Sequence, residues 1–95
     1  MVPYHGTMKL PKRHQKTLRD VFQKPTLASI KWSSIERLFL ALGAGVTEGA
    51  GSRVRIKLND QVKTFHRPHP GKEAKRYAVE AVREFLAEHD FTPEL

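Results

Sequence analysis

The chain has no cysteine, which removes disulfides, a thiol nucleophile and thiolate metal ligation from consideration. It is also short of acid: 10 Asp and Glu stand against 17 Lys and Arg, for a formal charge of +7. A surface with that excess attracts polyanions, and nucleic acid, an acidic protein and an anionic membrane surface all satisfy it. Long apolar runs are missing too. Nothing approaches the ~20 residues of a membrane-spanning helix, and the basic N-terminus "MVPYHGTMKLPKRHQK" lacks the apolar stretch of a signal peptide. The expectation is therefore a cytoplasmic protein. Three enzyme signatures are absent as well: the Gly-rich phosphate loop ending in Lys-Ser/Thr, His-Glu-x-x-His and Gly-x-Ser-x-Gly. Their absence sets aside the enzyme classes built on them.

What is present suits one small domain, because 95 residues supply a single hydrophobic core and not two. Residues 1–13 mix Pro3, Gly6 and Pro11 with basic side chains and show no hydrophobic period, which predicts a flexible basic arm ahead of a domain spanning 14–95. Leu18, Val21 and Phe22 then fall at helical spacing, giving a short helix from His14 to Gln23 that Pro25 stops. In "SSIE", Ser33 and Glu36 have the spacing of a capping box. Ile35, Leu38, Phe39 and Leu42 follow as the apolar stripe of a second helix, and Gly43 supplies its left-handed stop. Trp32, just before the box, reads as a hydrophobic staple or a lid on the core.

A weak strand around Ala44 to Glu48 precedes "RVRIKL", where Val54, Ile56 and Leu58 alternate with Arg53, Arg55 and Lys57. Asn59-Asp60 is turn chemistry and "QVKTFH" is the returning strand, so residues 53–66 form a β-hairpin. A two-residue turn pairs Arg53 with His66, whereas a three-residue turn pairs Val54 with His66; one residue of slip changes the face His66 joins. The last helix is expected from Gly71 or Lys72 to His89, with Tyr77 among its core residues. The order α-α-β-β-β-α predicts an α+β fold, a three-stranded antiparallel sheet with helices on one face and the other face free.

That free face offers Arg53, Arg55 and Lys57, with Lys63 joining on one register, and the next loop adds His66, Arg67, His69 and Lys72. Cations in such an array suit a phosphodiester backbone, each phosphate contact releasing counterions; a solvated strand face reads the same way. The loop "TFHRPHPGKE" (Thr64–Glu73) is more specific. Histidine titrates near neutrality, so one ring can take the proton of a ribose 2′-hydroxyl while another group serves the leaving oxygen, with no metal required. Gly71 and Lys72, at the expected helix start, would add N–H groups and a dipole favourable to phosphate. The same residues also make an ordinary turn. A zinc site at His66 and His69 lacks nearby third and fourth ligands, so no metal or cofactor is expected. His5, His14 and His89 are read as arm or surface residues.

The combination "IKWSSIERLFLALGAGVTEGAGSRVRIKL" followed by "FHRPHPGKEAKRYAVEAVREFL" resembles the HicA toxins of bacterial type II toxin-antitoxin modules, over about Trp32 to Phe91. The order and spacing of "ALGA", "GS" and "HPGKE" carry the resemblance, and the first thirty residues are an extension. The resemblance implies a double-stranded-RNA-binding-like fold and a metal-independent endoribonuclease acting on messenger RNA. It also implies a HicB-like antitoxin that covers the site, with the toxin alone as a monomer or joined to its antitoxin in a hetero-oligomer. In the family's pattern a histidine follows the Gly-Ser pair; here Gly51-Ser52 is followed by Arg53. His66 then replaces the missing ring, or His69, which matches the family's second histidine, works with Arg53, or the chain binds RNA without cutting it. Arg53 stays protonated and cannot be the base, but it can stabilise charge on the phosphate.

Overall fold

In the computed structural model, which describes residues 10–93, the elements are α1 (Lys12–Val21), α2 (Trp32–Ala41), β1 (Gly45–Glu48), β2 (Arg53–Leu58), β3 (Gln61–His66) and α3 (Arg76–Glu88). The fold is α+β, an antiparallel β1-β2-β3 meander. Along β2 the alternation read from the sequence becomes alternation of burial: Val54, Ile56 and Leu58 are buried, while Arg53, Arg55 and Lys57 are exposed. The buried face joins the apolar stripes of the helices in one core, with Ile35, Leu38 and Phe39 from α2 and Val79, Val82, Phe85 and Leu86 from α3. Phe39, Phe65 and Phe85 meet at its centre, ring centroids 5.9–6.4 Å apart, the tilted spacing that aromatic quadrupoles favour.

The hairpin turn is Asn59-Asp60, with Leu58 opposite Gln61. Asn59 takes a positive φ of 55°, which asparagine tolerates better than most residues. Helix α2 ends as its sequence predicts: Gly43 sits at φ 89°, its N–H donates to Leu40 O, and Ala44 N–H reaches back to Phe39 O. These two bonds make a Schellman stop. The end of α3 repeats it with Asp90 at φ 66° and Phe91 N–H donating to Leu86 O.

Four expectations are corrected. The capping box does not form: α2 begins at Trp32 after an extended Lys31, and no side chain caps it. The Glu36 carboxylate instead accepts from Trp32 Nε1, one turn back in the same helix, and from the distant Arg67, side-chain partners that outcompete the helix's own backbone. Helix α3 begins at Arg76, not at Gly71 or Lys72, because the preceding backbone is already paired: Lys31 and Glu73 form a β-bridge, Trp32 N–H donates to Lys72 O, and Ala74 N–H donates to Ile30 O. Tyr77 falls beside the buried stripe of Val79, Val82, Phe85 and Leu86 and is 66% exposed. Finally, Lys12 and Arg13 belong to α1 and Leu10 is in the core; the rest of the expected arm, residues 1–9, lies outside the described residues.

His14 is also no surface residue, being 8% exposed between α1 and α2. Burial, then Arg13 and Arg37, lower its pKa from the ordinary imidazole value of 6.5. A group whose pKa is lower in the folded chain contributes stability that is present above the unfolded value and lost as pH falls through the folded one. Thermal stability should therefore begin to fall below about pH 6.5, and His14→Gln should flatten that part of a Tm-versus-pH curve. An unchanged curve in the variant would show that His14 does not titrate with unfolding.

Candidate nucleic-acid cleft

The register settles how the hairpin presents its cations. Arg53 pairs with His66, Arg55 with Thr64 and Lys57 with Val62, so Arg53, Arg55, Lys57 and His66 share the free face. Lys63 pairs with Ile56, on the helix-covered face and half-buried, and does not join them. Arg53 uses its backbone toward the β1 side, accepting from Gly49 N–H and donating to Ala50 O, while Arg67 N–H donates to Ser52 O. The Arg53/His66 pair is thus a non-hydrogen-bonded one, the closer kind in an antiparallel ladder, with Cβ atoms about 4.5–5.5 Å apart.

At this end of the sheet a cleft of about 190 Å³ opens between the loop after β3 and the first turn of α3. His66, His69, Ser52, Lys75 and Tyr77 line it, with Trp32 and Ala74 at its base. No acidic residue occurs in the first turn of α3, and its free N–H groups add positive potential beside Lys75. The helix-terminus feature expected at Gly71 and Lys72 is therefore supplied by Lys75 to Tyr77. Lys72 stays exposed and outside the lining, its carbonyl holding Trp32 N–H.

Arg67 does not present its guanidinium to solvent as the sequence predicts. Its Nε and a terminal nitrogen donate to the two Glu36 oxygens at 2.7 and 3.1 Å, and the other terminal nitrogen donates to Glu48 at 2.7 Å. A bidentate fork of this kind carries geometric specificity as well as energy. Its hydrogen bonds to the Glu36 and Glu48 carboxylates push the guanidinium pKa further up, and Arg67 holds the exposed Glu48 below the usual carboxylate range. Arg67 is thus a tether: it ties the loop between His66 and His69 to α2 and to the end of β1.

Tyr77 and Lys75 are among the cleft residues that sequence reasoning missed. Assembling the α3 stripe from its large aliphatic members, Val79, Val82 and Leu86, would have left Tyr77 off the buried face. Lys75 had no such signal, since only the pairing of residues 72–74 puts the helix start beside it. His89 is also occupied structurally, because its ring nitrogens meet Asn59 Nδ2 and Gln61 Oε1, each at 2.9 Å, and fasten the hairpin turn to the end of α3.

Among the described residues no group of three or more His, Asp or Glu side chains gathers to hold a metal ion, and no helix is long and apolar enough to cross a membrane. A family model described as HicA toxin of bacterial toxin-antitoxin systems matches residues 32–87, the span holding α2, the sheet, the cleft and nearly all of α3. No curated protein and no solved structure matches the chain.

Proposed function

Because the chain belongs to the HicA family, toxins of bacterial toxin-antitoxin systems, we propose that it is an endoribonuclease that cleaves messenger RNA in the cytoplasm without a metal and so arrests translation. The observation that carries this reading is the cleft that brings His66 and His69 together, with Arg53 opposite His66. One imidazole takes the proton of a ribose 2′-hydroxyl as its oxygen attacks the adjacent phosphorus. The other returns a proton to the departing 5′-oxygen, leaving a 2′,3′-cyclic phosphate and a 5′-hydroxyl. Arg53 faces the charge that builds on the phosphate oxygens, Lys75 and the α3 N-terminus attract the backbone, and Arg55 and Lys57 continue its track across the sheet. Tyr77 offers an exposed ring on which a base beside the scissile bond stacks. A HicB-like antitoxin is the proposed partner covering the cleft and the basic face.

The test is incubation of the purified protein with end-labelled messenger RNA in EDTA. Fragments ending in cyclic phosphate are expected, together with binding that weakens steeply with salt. RNA that is bound but stays intact would instead support a non-cleaving RNA-binding module or an inactive toxin relic that keeps its antitoxin. That second reading rests on Arg53 standing at the position of the family's histidine. In the same assay Tyr77→Ala should bind RNA about tenfold more weakly, since stacking contributes ~1–3 kcal/mol per base. Its melting temperature should not change, because the ring is already exposed.

A further inference from the structure

On the opposite side of the first turn of α2 from Trp32 lies a second, smaller pocket of about 70 Å³, lined by Arg13, His14 and Thr17 of α1 and by Ser34 and Arg37 of α2. It shares no residue with the cleft. Three of its five lining residues come from α1, outside the part of the chain that matches the family model. The two arginines are exposed. Among the described residues the ion pairs are Lys16 with Asp20 and Arg67 with Glu36 and Glu48, and neither Arg13 nor Arg37 takes part in one. Among the described residues two guanidiniums without a carboxylate partner therefore stand against one nearly buried imidazole, whose pKa is lowered by burial and then by both arginines. Like charges gathered in this way cost free energy that a bound anion would remove.

The donors match one kind of anion. Thr17 spends its hydroxyl proton on Arg13 O, which leaves the two guanidiniums, the Ser34 hydroxyl and an imidazole N–H to face a ligand. Guanidinium forks suit the oxygens of phosphate. The space exceeds what single waters need and accepts a tetrahedral oxyanion. Ser34 stands in the first turn of a ten-residue helix with no acid there and no side-chain cap, so the helix end adds to the same potential. We propose that Arg13, His14, Ser34 and Arg37 form a binding pocket for a single phosphate group, either the free anion or one carried by a nucleic-acid strand, built where the N-terminal helix meets the family fold.

The experiment is an amide NMR titration of the full chain with inorganic phosphate at constant ionic strength, with chloride as control. Saturable shifts are expected at residues 13–17 and 34–37, and Arg13→Gln and Arg37→Gln should each weaken the apparent affinity about tenfold or more. Both side chains are exposed, so the rest of the spectrum should keep its dispersion; Ser34→Ala serves as an independent variant, with a smaller loss. A non-cleavable oligonucleotide then separates the two sources. Displacement of phosphate from the pocket identifies the strand phosphate as occupant, and retention of phosphate identifies the free anion. Shifts that chloride reproduces, that never saturate, or that survive both arginine substitutions overturn the proposal. The cleft plays no part in this readout, so the outcome is independent of whether the protein cuts RNA.

Discussion

His66→Ala should lower the rate of RNA cleavage by ~100- to 10,000-fold, the usual contribution of a positioned acid or base. The ring is exposed at the end of β3, so no core packing is lost and the circular dichroism and melting temperature should match the parent. His69→Ala should fall in the same range. Arg53→Ala should cost less than either histidine, since it stabilises charge without moving a proton. If both histidine variants cleave at the parental rate, the assigned site is wrong whatever the fold.

Glu36→Ala should damage both stability and cleavage although Glu36 lies outside the cleft lining. Its carboxylate accepts from Trp32 Nε1 and twice from Arg67, and the pair is largely covered, with side chains 18% and 30% exposed. Removing the acceptor leaves the indole N–H and a partly buried guanidinium without their partner, a loss of about 2–3 kcal/mol. For a domain of this size the melting temperature should drop by on the order of 10 °C. The functional effect should exceed what unfolding explains. Arg67 lies between His66 and His69, and a displacement of about 1 Å in a catalytic group can cost ~100-fold. Cleavage by Glu36→Ala should therefore be reduced even at temperatures where the variant is fully folded. In a double-mutant cycle Arg67→Ala should add little to Glu36→Ala. Additive losses would show that the tether does not hold the loop.

How much of this was legible in the sequence depended on whether the signal was local. The strand alternation of Arg53 to Leu58, the left-handed stop at Gly43 and the apolar stripe of α2 are each dictated by neighbours within a turn or a pleat, and each stands in the structure as read. Where sequence reasoning went astray, a distant segment had claimed the group in question. Glu36 has the spacing of a capping box, but it is taken by Arg67, which lies 31 residues on in the loop after β3. Lys72 to Ala74 could enter a helix, but their backbone is paired with residues 30–32. Arg67 reads from the sequence as a free loop cation, and two carboxylates brought in by α2 and β1 hold its guanidinium.

The sequence by itself determined the α+β order, the basic strand face, the family and the loop that holds His66 and His69, because period, turn residues and motif spacing act over short stretches of chain. Only the tertiary structure decided that Arg53 stands opposite His66, that Arg67 is a tether, that Tyr77 and Lys75 border the cleft, and that α1 brings Arg13 and His14 against Ser34 and Arg37. Those outcomes follow from strand register and from ion pairs between residues far apart in the chain, and no local pattern encodes which of several available partners a charged group will find.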